Sequence, residues 1–116
     1  MTDCIFCKIV KGEIPSKKVY ENDRVLVFHD INPVAPVHVL VIPKLHIKSL
    51  SGVKEKDRDI LGEIQVVTAK AAEKLGISKA FRLVTASGGK AGQEIFHLHY
   101  HLVGGWKKSA PKLSVL

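Results

Sequence analysis

His97-Leu98-His99-Tyr100-His101-Leu102-Val103 alternates histidine with apolar residues, and this stretch decides the fold. Side chains of a β-strand switch faces at every residue, so the alternation predicts a strand, which we extend over residues 95–103. The three imidazoles then share one face, with neighbours about 6.5–7 Å apart. Polar groups on a buried strand face cost free energy unless each one is satisfied, so the three histidines predict a functional site.

Three interpretations of the histidine run are open. A half-exposed strand can simply turn polar histidines outward, or a His-x-His pair and a third histidine can hold a zinc ion. Alternatively, one neutral imidazole attacks phosphorus while its neighbour handles the proton of the leaving group. The loop Ser87–Gln93 lies directly before the strand, and its glycines and Lys90 suit an anionic phosphate. This combination favours nucleophilic catalysis.

Hydrophobic periodicity in the rest of the chain predicts an α+β fold with a mostly antiparallel sheet. Residues 54–75 carry apolar side chains at three- and four-residue intervals, which predicts one long amphipathic helix ended by Gly76. A short helix is predicted after Cys4, ending near Gly12. The predicted strands are 17–20, 25–29, 38–42, 81–85 and 95–103, with a rigid proline loop at 30–36 and a glycine-rich loop at 86–92.

The composition is that of one soluble globular domain. The 116 residues, 46% hydrophobic and 25% charged, predict a single domain over 1–116 with a C-terminal tail from about residue 106. No secretory signal or apolar run long enough to span a membrane is visible, so we expect a cytoplasmic protein. The net charge of +7 favours anionic partners, and charge alone fits a small phosphorylated ligand and a polynucleotide equally well. The Lys and Arg residues are scattered, with no block typical of a nucleic-acid arm, and we do not expect a nucleic-acid partner.

The two cysteines, Cys4 and Cys7, form a Cys-x-x-Cys pair near the N-terminus. Without a secretory signal, metal ligation or a redox pair is favoured over a structural disulfide. A thioredoxin-like motif should follow a strand, and no strand is predicted before Cys4. Metal ligation is therefore the favoured interpretation, with two reduced thiols as the alternative.

The histidine run resembles the His-φ-His-φ-His-φφ motif (φ hydrophobic) of the histidine triad (HIT) family. Four further stretches are similar to the Hint branch of that family, in matching order from about residue 4 to 105. They are Phe28-His29-Asp30-Ile31-Asn32-Pro33 with Ala35-Pro36-Val37-His38, Val41-Ile42-Pro43-Lys44-Leu45-His46-Ile47, Ala91-Gly92-Gln93 and Gly104-Gly105.

This resemblance implies a HIT-like fold and a hydrolase that cleaves nucleoside 5′-phosphoramidates to the nucleoside monophosphate. His99 matches the nucleophile that forms a nucleotidyl-histidine intermediate, and His101 matches the residue that assists the leaving group. His97 matches the first triad histidine, and His38 matches a further catalytic-site histidine. The implied nucleotide-binding residues are Asp30 at the ribose, Ile5, Phe6, Ile9, Phe28, His29 and Ile31 around the purine, and Gly92, Gln93 and Glu94 at the phosphate, where Gly92 and Glu94 offer backbone amides.

The resemblance also implies a structural zinc held by Cys4, Cys7, His46 and His97, and a homodimer. No metal is implied for the chemistry itself. Ala86 departs from the family pattern, in which Asn contacts the phosphate here, so we expect a weaker or differently tuned catalyst. Three other functions are weighed: a dinucleoside polyphosphate hydrolase, a zinc-stabilised nucleotide- or RNA-binding module without turnover, and a hydrolytic zinc centre built on the triad.

Overall fold

The computed structural model describes residues 3–112, so residues 113–116 of the predicted tail lie outside the described range. Its helices and strands confirm the predicted α+β class. In chain order they are α1 (Ile5–Val10), β1 (Lys18–Glu21), β2 (Val25–His29), β3 (Val37–Pro43), α2 (Arg58–Lys74), β4 (Phe81–Val84) and β5 (Tyr100–Gly104). No helix within residues 3–112 has both the length and the apolarity needed to cross a bilayer.

The five strands form one antiparallel sheet in the order β1-β2-β3-β5-β4. Asn22 closes the predicted first hairpin, because its side-chain oxygen accepts hydrogen bonds from the N–H groups of Arg24 and Val25, both at 2.9 Å. β3 is central and almost wholly buried, as its run of β-branched residues predicts. In the register of β3 with β5, His38 lies opposite Val103 and Leu40 opposite His101.

Alternation along the strands gives the sheet two apolar faces. α2 covers one face with Ile60, Ile64, Val67 and Ala71. α1 covers part of the other with Phe6 and Ile9, which pack against Leu26, Phe28, Leu40 and Ile42. Because residues directly opposite in an antiparallel pair share a face, His101 lies on the same face as Leu40, on the side that carries α1. The sheet therefore directs its histidines toward the short helix.

The last strand is shorter than predicted, since it begins at Tyr100 and not at residue 95. Pairing with β4 ends at the Val84–His101 pair, so the preceding residues have no neighbouring strand there. The N–H of Leu98 donates instead to the carbonyl of Ile47, at 2.6 Å. The segment before Tyr100 is thus joined to the loop that follows β3.

The long helix also begins later than predicted, at Arg58 and not at residue 54. Residues Glu55–Asp57 form a 3₁₀ turn, held by a hydrogen bond from Lys54 N–H to the Asp57 carboxylate (2.9 Å). The predicted end is confirmed, because the helix stops at Lys74 and Gly76 adopts φ +76°.

Candidate active site and metal centre

A cavity of about 1030 Å³ opens on the α1 side of the sheet. Ile5, Phe6 and Ile9 of α1 form an apolar wall with Phe28 and Leu40. The remaining lining is more polar, and includes His29, Asp30, His38, Gly92, Glu94, His99 and His101. One cavity therefore combines an apolar wall, which suits a flat aromatic ring, with imidazoles and a carboxylate.

The imidazole of His99 is held in one orientation by its own chain. Its Nδ1 lies 2.8 Å from the carbonyl oxygen of His97. A carbonyl oxygen only accepts hydrogen bonds, so Nδ1 carries the proton and donates it. Nε2 of the neutral ring is consequently left with a free lone pair, which is the form that a nitrogen nucleophile needs. The hydroxyl of Thr85 further anchors this residue by donating to the His99 carbonyl (2.7 Å).

The protonation of His101 follows from a short chain of hydrogen bonds. The N–H of Val34 donates to Nδ1 of His38 (3.1 Å), so the proton of neutral His38 is on Nε2. That Nε2 lies 2.9 Å from Nδ1 of His101 and donates to it. His101 therefore carries its own proton on Nε2, while Oδ2 of Asp30 lies 3.5 Å from Nε2 of His38.

Both histidines of this pair are neutral near pH 7. Burial, followed by repulsion from His99 and His38, lowers the pKa of His101 to about 4, although Asp30 acts in the opposite direction. Burial also lowers the pKa of His38, again opposed by Asp30. The tautomer of His99 set by the His97 carbonyl thus offers a lone pair on Nε2 beside an N–H donor on His101, with the two ring centres 5.2 Å apart.

Cys4, Cys7, His46 and His97 converge next to this cavity, with one possible ligand atom from each lying within 4.8 Å of all the others. The sulfur-to-Nδ1 distances are 3.3 Å for Cys7–His46, 3.4 Å for Cys4–His97 and 3.6 Å for Cys7–His97. The two Nδ1 atoms of His46 and His97 are 3.2 Å apart. A tetrahedral zinc ion with ordinary bond lengths separates S from N by about 3.6 Å and N from N by about 3.4 Å.

The donor chemistry also fits zinc. Nε2 of His97 donates to the carbonyl of Pro43 (2.8 Å), so its Nδ1 offers a lone pair to the cluster. Burial lowers the pKa of His97, which keeps the ring neutral. His46 turns Nδ1 inward, while its buried Nε2 has no hydrogen-bond partner among the described residues. Two thiols that can ionise and two imidazole lone pairs form the closed donor set of a structural zinc site.

The residues predicted for the nucleotide site line the cavity except for Gln93, and of the predicted catalytic histidines only His97 does not. Gln93 is 4% exposed, and its side chain joins Gly88 N–H to the carbonyls of Lys48 and Ile95. It shapes the glycine-rich loop and does not line the cavity. His97, predicted as both catalytic and metal-ligating, is fully buried in the Cys/His cluster and likewise does not line the cavity.

The residues predicted to contact the phosphate differ in two details from the sequence prediction. The N–H of Gly92 already donates to the carbonyl of Gly89 (3.0 Å), so this amide is engaged. Ser87 and Lys90, which could replace the missing Asn at Ala86, do not line the cavity, and the Ser87 hydroxyl accepts from the N–H of Ser51 (3.1 Å).

Several cavity residues were missed at the sequence level: Pro15, Ser16, Lys17, Asn32, Val34, Leu40 and Ile95. The connection before β1 carries Pro15, Ser16 and Lys17 into the lining, and its sequence has no pattern that distinguishes it from an ordinary loop. Val34 acts through its backbone N–H, for which no side-chain pattern exists. Leu40 was detectable only as a core residue, because it stands in a continuous apolar run with Val39 and Val41, which indicates burial and not ligand contact.

The chain belongs to the HIT family, because residues 11–108 match the HIT domain. It is similar to a structure called a HIT family hydrolase from Clostridium thermocellum, at 48% identity and TM-score 0.91, covering 97% of this chain and 99% of that one. A histidine triad nucleotide-binding protein from Candida albicans is 34% identical, with TM-score 0.80 over 97% and 88% of the two chains. A 14 kDa zinc-binding protein from Brassica juncea is 41% identical, covering 94% of this chain and 98% of the relative.

Proposed function

We propose that this protein hydrolyses nucleoside 5′-phosphoramidates to the nucleoside monophosphate through a nucleotidyl-histidine intermediate on His99. The observation that carries the proposal is the fixed pair of tautomers, with a lone pair on His99 Nε2 and a proton on His101 Nε2. The similarity to a protein called a HIT family hydrolase and to one called nucleotide-binding supports it.

In the first step, His99 Nε2 forms a bond to the α-phosphorus and the P–N bond to the amine breaks. The departing nitrogen takes a proton from His101 Nε2. Since the pKa of His101 is low in the empty cavity, the phosphate anion has to raise it so that the ring is protonated on both nitrogens when the amine leaves. In that state Nδ1 no longer accepts the hydrogen bond from His38 Nε2, and the bond re-forms when His101 is neutral again. In the second step, water attacks phosphorus, gives a proton back to His101 and releases His99 and the monophosphate.

The apolar wall and Asp30 account for nucleotide binding in this proposal. Phe6 and Phe28 meet edge to face with ring centres 5.6 Å apart, and with Ile5 and Ile9 they offer a surface that buries the faces of a purine. One oxygen of Asp30 accepts from Asn32 N–H (2.7 Å). The carboxylate has further lone pairs with which to accept hydrogen bonds from the two ribose hydroxyls.

We extend the proposal to a structural zinc on Cys4, Cys7, His46 and His97. Zinc bound there cross-links α1, the loop after β3 and the segment before β5. The distances within the cluster support this role, as does the similarity to a protein called zinc-binding. The half-exposed Phe81 on the open edge of β4 supports a homodimer.

The test is conversion of adenosine 5′-phosphoramidate to AMP. We expect turnover by the wild-type protein, its loss in His99→Ala with AMP binding retained, and full turnover in Glu73→Gln, an exposed α2 control. Mass spectrometry of acid-sensitive adenylylated protein should map the label to His99. Affinity for AMP without product would instead indicate a binding module, and faster cleavage of a dinucleoside polyphosphate would indicate the other hydrolase class.

Treatment with a chelator distinguishes catalysis by a His99 nucleophile from catalysis by a hydrolytic zinc centre. His99 does not belong to the Cys/His cluster, so the adenylylated intermediate should still form after zinc is removed from folded protein. Loss of the intermediate at saturating substrate, in protein that keeps its circular dichroism spectrum, would contradict catalysis by an imidazole nucleophile.

A further inference from the structure

The Cys/His cluster and the cavity share one structural element, α1. Cys4 is the N-cap residue of this helix and Cys7 lies in its first turn, so both cysteines are fixed by α1. Ile5, Phe6 and Ile9 of the same helix line the cavity. Any shift of α1 toward or away from the sheet therefore changes the metal site and the apolar wall together.

The stability of α1 depends on its contacts with the rest of the fold. It contains six residues, whereas isolated helices shorter than about 12–15 residues are marginal in water. Two attachments hold it: the packing of Phe6 and Ile9 on the sheet, and the convergence of both cysteines with His46 and His97. Loss of a metal removes the second attachment and leaves four unbridged donor groups around it.

Phe6 connects the two sites directly. Its ring meets the metal-ligating His97 at 5.8 Å between centres, the His99 ring at 5.2 Å and the Phe28 ring at 5.6 Å, each nearly edge to face. The ring is 4% exposed and has little freedom to move independently. His97 also acts on the cavity through its backbone. Its carbonyl oxygen accepts the hydrogen bond from Nδ1 of His99 that fixes the His99 ring.

From these contacts we infer that metal and nucleobase bind cooperatively, with α1 as the coupling element and Phe6 as the positioning residue between the two sites. This inference rests on the proposed nucleotide site. Metal binding holds the apolar wall in the position that encloses the base, and a bound base holds the two cysteines in position for the metal. Thermodynamic linkage makes the two effects equal in size.

The experiment compares AMP with ribose 5-phosphate, which keeps the sugar and phosphate but lacks the base. Dissociation constants are measured by calorimetry on zinc-loaded protein and on chelator-treated protein whose circular dichroism spectrum shows it folded. We expect zinc removal to weaken AMP binding by about 5- to 150-fold, the usual range for coupled sites, and to leave ribose 5-phosphate binding nearly unchanged. Equal weakening of both ligands would overturn the inference, because it would indicate a general loss of structure.

The reciprocal measurement remains decisive if the zinc-free protein does not fold. Zinc affinity is determined by chelator competition in the presence of AMP or of ribose 5-phosphate. AMP should raise the affinity for zinc by the same factor by which zinc raises the affinity for AMP. Ribose 5-phosphate should leave the affinity for zinc nearly unchanged. If both ligands raise it equally, zinc and ligand are coupled only through folding and the inference is wrong.

Two variants of α1 localise the coupling. Phe6→Leu should lose most of the zinc dependence of AMP binding, whereas Val10→Ala, which alters α1 packing outside the cavity, should retain it. Equal coupling in both variants would exclude Phe6 as the connection. Zinc-loaded protein that fails to bind AMP would contradict the proposed function itself, while AMP affinity independent of zinc would contradict only the coupling.

Discussion

At the scale of single residues, His38 acts on the site through another side chain. Because Val34 N–H fixes its tautomer, His38 donates from Nε2 and thereby places the proton of His101 on the far nitrogen. His38→Leu removes this donor. Loss of the hydrogen bond that orients a metal-bound histidine typically costs about 10- to 100-fold in activity, and His38 has the same orienting role for His101. We expect a loss of this size in kcat for adenosine 5′-phosphoramidate, with KM nearly unchanged.

His38→Gln is the matched control, because its amide nitrogen can donate from about the same place as His38 Nε2. We expect it to recover much of the lost kcat and to restore the pH profile of the wild type. Equal kcat in the Leu and Gln variants would mean that His38 only fills space.

At the scale of secondary structure, the 3₁₀ turn before α2 depends on Asp57. This residue is 6% exposed, and its carboxylate accepts the N–H of Lys54. Asp57→Ala should lower the free energy of unfolding by about 1–2 kcal/mol, as loss of a helix cap does. Urea unfolding measures this value, and Asp59→Ala, at an exposed position two residues further along the chain, is the control.

Asp57→Asn keeps one side-chain oxygen acceptor and should recover part of this stability. KM for the nucleotide should stay unchanged in all three variants, since α2 covers the opposite face of the sheet from the cavity. A change in KM without a change in stability would contradict the separation of the two faces.

Sequence patterns predicted the elements whose own residues determine them. The hairpin β1–β2 follows from alternation and Asn22, and the end of α2 follows from Gly76. Alternation at residues 95–99 did not identify a strand, because an extended segment shows the same pattern whether it pairs with a strand or with a loop carbonyl such as that of Ile47. The start of α2 was predicted too early. The Asp57 carboxylate accepts the backbone N–H of Lys54, which holds a 3₁₀ turn in front of the helix, and the apolar periodicity does not indicate this hydrogen bond.

The candidate site was predictable where side chains carry its chemistry. Cys4, Cys7, His46 and His97 come from three segments, and only the resemblance to the HIT family joined them before the fold was known. The sequence did not show that the side-chain amide of Gln93 holds the glycine-rich loop, because its partners are backbone groups of Gly88 and Lys48. No sequence pattern predicts the hydrogen bonds made by the Val34 N–H and the His97 carbonyl, although these bonds determine the tautomers of His38 and His99.

At the scale of the whole molecule, the neutral His101 makes stability depend on pH. Its pKa is about 4 in the folded protein, below the value of about 6.5 expected for an unfolded chain. Between these values the unfolded state binds the extra proton, so the free energy of unfolding falls as the pH falls from about 6.5 toward 4. Above pH 6.5 both states are neutral at this position and its contribution is complete.

The expected loss from His101 is about 1–3 kcal/mol over this window, reduced from the full linkage value because the ring is partly exposed. Urea unfolding of zinc-loaded protein at several pH values measures it. Protonation of zinc ligands also destabilises the fold in acid, so His101→Gln is measured alongside, with Glu73→Gln as the control. The His101→Gln curve should be flatter than the wild-type curve by this amount between pH 6.5 and 4. Parallel curves would mean that folding does not lower the pKa of His101, which would contradict the buried, neutral state assigned to this ring.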